Sequence, residues 1–156
     1  MSCLILKMRK TRVEFTRHQL REMAFQALFS MLYKTDVTAD QAIDNVLDYN
    51  MNVELEEAIE QPMYLRVSVE GVTTHQEEID GLIQTHLKGW KINRISKADL
   101  IILRLAIFEM LYLSDIPSKV SLNEALELAK EFSDDESRRF INGVLSSVMA
   151  DLDSNK

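Results

Sequence analysis

Residues 98–113, from Ala98 to Leu113, are apolar at nearly every position. A helix that is hydrophobic all round belongs in the centre of a fold, touched on several sides. The run is too short to span a bilayer, and Asp99, Arg104 and Glu109 interrupt it. Charged groups in such a helix need a partner on another element or a route to water. Arg104 and Glu109 therefore read as structural first, with docking by Glu109 as the lesser alternative. Whatever surrounds this helix must supply several apolar faces, and the rest of the chain does so at helical spacing.

Thr16 is a plausible cap for a first helix whose stripe is Leu20, Met23, Ala24, Ala27, Leu28, Met31 and Leu32. A second helix follows Thr38, with Ala42, Ile43, Val46 and Leu47 on one face. Residues 49–60 form a connection with a short helix of its own, and Glu54, Glu56, Glu57 and Glu60 read as a solvated face. Pro62 suits the first turn of a third helix. Leu65, Val67 and Val69 alternate as a strand would. No partner strand exists elsewhere, which decides for helix. Gln76 to Leu87 is plainly helical.

Ser96 with Asp99, Ser121 with Glu124 and Ser133 with Glu136 each have capping-box spacing. The last helix carries Phe140, Ile141, Val144, Leu145 and Val148. Gly143 lies inside it, and its helix cost of about 1 kcal/mol suggests a close helix approach there. The pattern predicts an all-α fold of about seven helices in two packed helical subdomains, near 16–74 and 75–150. A flexible basic arm over 1–15 precedes them and a tail over 151–156 follows. Four glycines and two prolines in 156 residues agree with long helices and few tight turns.

Chemistry-bearing motifs are scarce. The glycines are too scattered for a phosphate loop. His18, His75 and His86 lack metal-ligand spacing, and no metal or cofactor is expected. His75 and Glu78 read as a surface pair. Cys3, the lone cysteine, reads as an incidental thiol suited to a reducing cytoplasm. Met8 offers an alternative start to the chain. Asp134, Asp135 and Glu136 favour a helix start over acid–base work.

Charge is more informative. The chain carries −7 overall, yet residues 1–21 hold Lys7, Arg9, Lys10, Arg12, Arg17 and Arg21 against Glu14. That segment is +5, which leaves −12 for the remainder. Such asymmetry points to polyanion binding, and composition leaves a solvated basic tail equally open. Arg17, His18 and Arg21 fall on the first helix and can present a fixed patch. Arg138 and Arg139 precede Phe140, a basic–aromatic grouping that suits unpaired bases. By pattern alone Phe140 also fits the core stripe.

Four blocks carry a resemblance. They are Arg21 to Phe29 (REMAFQALF), Leu103 to Leu111 (LRLAIFEML), Ile116 to Lys130 (IPSKVSLNEALELAK) and Phe140 to Leu145 (FINGVL). In that order they resemble the signatures of the NusB family of transcription antitermination factors, over roughly residues 16–150. The resemblance implies an all-α fold of two helical subdomains and no enzymatic activity. It implies binding of boxA single-stranded RNA from ribosomal RNA leader transcripts. It further implies a heterodimer with the ribosomal protein NusE, in an antitermination complex on RNA polymerase.

Carried over by position, the RNA-binding residues implied are Arg12, Arg17, His18, Arg21, His86, Arg139 and Phe140. Phe29 and Asp99 fall where the family faces NusE. His18 and Gln19 dilute the family's arginine cluster, and His86 stands where an aromatic is frequent. Some similar proteins form homodimers that bury the RNA face, so a self-associating module with generic RNA affinity is the alternative reading. The same helical domain also occurs ahead of RNA cytosine methyltransferases, which need a second, larger domain.

Overall fold

The structure, a computed structural model, describes residues 13–51 and 59–155. Arg12 with most of the basic arm, and the acidic connection with Glu54, Glu56 and Glu57, lie outside the described residues. Seven α-helices are described: α1 (Arg17–Tyr33), α2 (Ala39–Met51), α3 (Met63–Thr74), α4 (Gln76–Thr85), α5 (Lys97–Tyr112), α6 (Ser118–Phe132) and α7 (Asp135–Ser154). A short 3-10 turn, Ile92–Arg94, lies between α4 and α5. The expected all-α architecture is what forms, and the alternating 65–69 segment is helix. Leu65, Val69 and Val72 face inward at helical spacing, while Val67 faces out.

Two compact units divide at Val67/Ser68, within α3. In the first, α1 packs on α2. Both helices start on the same device. Thr16 Oγ1 accepts the Gln19 backbone N–H at 3.1 Å, and Gln19 Oε1 accepts the Thr16 N–H at 2.8 Å. Thr38 and Gln41 repeat it at 3.2 and 3.0 Å. Each reciprocal pair satisfies two otherwise unpartnered amide donors. Gln61 ties the chain that follows back onto α2, donating to the Asp40 and Asp44 carboxylates at 3.0 and 2.9 Å.

In the second unit α5 is the centre, with α4, α6 and α7 packed on it. Every residue from Ile101 to Glu109 is buried. Its charges are satisfied internally. Arg104 donates from Nε and Nη2 to the two Asp80 oxygens of α4, both at 2.8 Å. Glu109 accepts the Ser121 hydroxyl at 2.9 Å.

Two of the expected capping boxes are corrected by this arrangement. Pro117 caps α6 four residues before the expected Ser121, and its carbonyl accepts the Val120 N–H at 2.9 Å. Ser121 is thereby left inside the helix, turned toward Glu109. Ser133 ends α6 instead of starting α7. The cap of α7 is Asp134, whose Oδ1 accepts the Ser137 N–H at 2.8 Å. That hydrogen bond holds the Asp134 carboxyl below its usual pKa. At Ser96 only half a box forms. Ser96 Oγ accepts the Asp99 N–H at 3.2 Å, and the Asp99 side chain goes elsewhere.

The glycine expectation is also corrected. A Cβ on Gly143 would meet open space, whereas one on Gly71 of α3 would overlap the Phe108 ring. Phe108 is buried, with the Tyr112 ring tilted beside it at 5.3 Å between centroids. Gly71→Ala should therefore lose about 1–2 kcal/mol in urea unfolding, overpacking outweighing the gain of about 1 kcal/mol in helix propensity. Gly143→Ala should be neutral or stabilising in the same measurement.

Candidate nucleic-acid interface

In the first unit the basic start of α1 is organised by an aromatic ring. The Arg17 guanidinium lies 4.8 Å from the Tyr64 ring centroid and that of Arg21 lies 5.6 Å from it. Stacking of this kind holds the planar cation in one orientation. The two arginines differ in reach. Arg17 is exposed, but Arg21 is only 3% exposed. His18 Nε2 lies 2.8 Å from Glu22 Oε1, one turn along. Tyr64 was not singled out in the sequence. It stands more than forty residues after Arg21, and no local pattern links the two.

Phe29 continues an aromatic ladder on the same helix. Its ring centroid is 5.7 Å from that of Phe25 and 5.2 Å from that of Tyr33. Spacing of four residues puts these rings one above another. Phe29 is half-buried, while Tyr33 at the open end is largely exposed.

The second unit places its expected residues differently. His86 is held against α7, with Nδ1 2.7 Å from Ser147 Oγ and Nε2 3.3 Å from Asp151 Oδ2. Its side chain is 10% exposed, so both ring nitrogens already have partners and the ring edge is largely covered. Arg139 is exposed and lines an open groove of about 430 Å³ with Leu126, Asp135, Arg138 and Asn142. Arg138 Nε is buried there without a hydrogen-bond partner among the described residues. Phe140 does not line this groove. It is half-buried and falls in register with Ser147, on the face of α7 that also receives His86. Arg139 and Phe140, adjacent in sequence, thus serve different sides of one helix.

Asp99 is 6% exposed and fully engaged. Its Oδ1 accepts the Ser133 hydroxyl and its Oδ2 the Ser137 hydroxyl, each at 2.8 Å. Sequence spacing gave no hint of these bonds, because both serines lie more than thirty residues away. Arg12 lies outside the described residues.

No helix among the described residues is long and apolar enough to cross a membrane. The NusB family model matches residues 18–150. The transcription antitermination protein NusB of Enterococcus faecalis is 48% identical over 152 residues, covering 96% of this chain and 99% of that one. Among solved structures, T. maritima NusB superposes with a TM-score of 0.74 at 29% identity, over 87% of this chain and 92% of its own. A complex of the antitermination factors NusB and NusE with double-stranded RNA has a TM-score of 0.71 at 24% identity, covering 86% and 97%, a likeness that bears on the fold. Matched along almost its whole length in both sequence and fold, the chain belongs to the NusB family of transcription antitermination proteins.

Proposed function

We propose that the chain binds boxA-type single-stranded RNA of ribosomal RNA leader transcripts together with the ribosomal protein NusE, and so supports antitermination by RNA polymerase in the cytoplasm. The observation that carries this reading is the start of α1. Two guanidinium groups are stacked on one tyrosine at the end of a segment with net charge +5, in a chain that is otherwise acidic. Pre-oriented arginines lose little freedom when they meet phosphate, and the acidic remainder keeps the contact local. Arg17 and His18 supply the outer contacts, with Arg21 as the stacked support, and Arg12 adds a further cation from the preceding sequence. Arg139 adds a second basic contact from one side of α7, and His86 and Phe140 are assigned to contacts on the other. Phe29 in the first unit and Asp99 in the second are each assigned to NusE binding, Asp99 through the helix corner that it holds.

The test is RNA binding to boxA and to a scrambled sequence, with and without NusE, across a salt series. BoxA should bind more tightly, and NusE should improve it. An Arg12→Ala/Arg17→Ala variant removes two cations without altering the buried Arg21. It should keep its fold and reduce the slope of log K against log salt by about 1.4, or about 0.7 per lost phosphate contact on a single strand. Equal, weak binding to both RNAs, indifferent to NusE, would favour the self-associating module instead.

A further inference from the structure

A second basic segment joins α4 to α5. From Gly81 to Ala98 the chain carries Lys88, Lys91, Arg94 and Lys97 and no acidic residue, against an overall charge of −7. The only tryptophan of the protein, Trp90, lies at its centre and is 57% exposed. Leaving so large a ring in water forgoes burial that other large aromatics obtain in the core. Lys88, Lys91 and Arg94 beside it are exposed and form no ion pair among the described residues.

The loop is held in place. Gln84 clamps it from both sides of its amide. Nε2 donates to the Trp90 carbonyl at 2.9 Å, and Oε1 accepts the Ile92 N–H at 3.0 Å. Gly89 makes the preceding turn with φ of 77°, a backbone conformation that disfavours other residues. Leu87 is buried on one side, and the 3-10 turn closes the other with Arg94 N–H on the Lys91 carbonyl at 2.9 Å. The indole is therefore carried by an ordered backbone.

We propose that Trp90 is a stacking platform for an unpaired RNA base, with Lys88, Lys91 and Arg94 holding the flanking phosphates. The inference rests on the RNA-binding reading above and extends it to a contact with no sequence preference, since every base offers a face to stack. The cations decide between RNA and a protein partner. A docking tryptophan is expected among apolar neighbours, and the exposed residues that flank this one along the chain are Lys88, Gly89, Lys91, Asn93 and Arg94.

Because Trp90 is the only tryptophan, intrinsic fluorescence of the chain alone reports directly on it. Titration with boxA RNA should quench the emission, with the same midpoint as anisotropy of end-labelled RNA. Trp90→Ala should bind that RNA about tenfold more weakly, with and without NusE, at unchanged melting temperature, and Trp90→Phe should recover most of the affinity. Lys88→Gln/Lys91→Gln should lower the salt slope. RNA that binds by anisotropy without quenching, and binds Trp90→Ala as well as the parent, would overturn the platform while the RNA-binding reading stands. No binding by anisotropy even with NusE would overturn both.

Discussion

Asp80→Ala is expected to cost about 3–5 kcal/mol of folding stability, read as a shift of the urea unfolding midpoint. The size follows from what is left behind. Arg104 sits in the middle of the most buried helix, its side chain 7% exposed, among Ile101, Leu103, Leu105 and Phe108. Its two bonds to Asp80, both at 2.8 Å, form a fork in which each carboxylate oxygen accepts one N–H. Removing the carboxylate strands a cation that cannot deprotonate and has little route to water. Asp80 is itself 26% exposed, so solvent screens part of the interaction and the lower end of the range is expected. Asp80→Asn keeps one acceptor and should fall between parent and alanine variant. Replacing both partners, as Asp80→Leu with Arg104→Met, should be less destabilising than Asp80→Ala alone, because no charge is then stranded. A loss below 1 kcal/mol for Asp80→Ala would mean that Arg104 finds another partner.

The need for such a partner was legible in the sequence, and its identity was not. An arginine in an apolar run demands a counter-charge, but helical periodicity says nothing about which acidic residue twenty-four positions away will supply it. The helices themselves were legible because their signals are local. Thr16 with Gln19, and the apolar stripes of α1, α2, α4 and α5, act within a turn or two. Capping boxes proved less reliable where tertiary demand competed. Ser121, Ser133 and Asp99 have the right spacing to cap helices, yet their side chains are drawn into bonds between helices. The same holds for the glycines, since only the packing decides that Gly71 and not Gly143 meets a ring. At the basic start of α1 the arginines were visible and Tyr64 beneath them was not. The Trp90 segment differs. A lone tryptophan in an acid-free stretch with four cations was on view, but its residues contribute little to any helical stripe and drew no notice as a boundary between helices.

Asp99→Ala is expected to lose about 2–3 kcal/mol, because one carboxylate joins three helices. It stands in the first turn of α5, accepts from Ser133 where α6 ends, and accepts from Ser137 in the first turn of α7. Hydrogen bonds to a charged acceptor contribute more than neutral ones, and two are lost together. Truncation also leaves two hydroxyls to find water at a site that is 6% exposed. Asp99→Asn is the discriminating variant. A serine hydroxyl can accept as well as donate, so an amide can satisfy both serines after rotation, and the loss should be about 1 kcal/mol. The charge is gone in that variant while the corner between the helices persists. NusE affinity measured on Asp99→Asn therefore reads the charge alone, and the same measurement on Asp99→Ala reads the charge and the corner. With both oxygens already occupied by serines, Asp99 should act by fixing the corner. Asn is then expected to keep NusE affinity within a few-fold of the parent and Ala to lose it in step with stability. A full loss of affinity in a stably folded Asp99→Asn would assign the carboxylate itself to the interface.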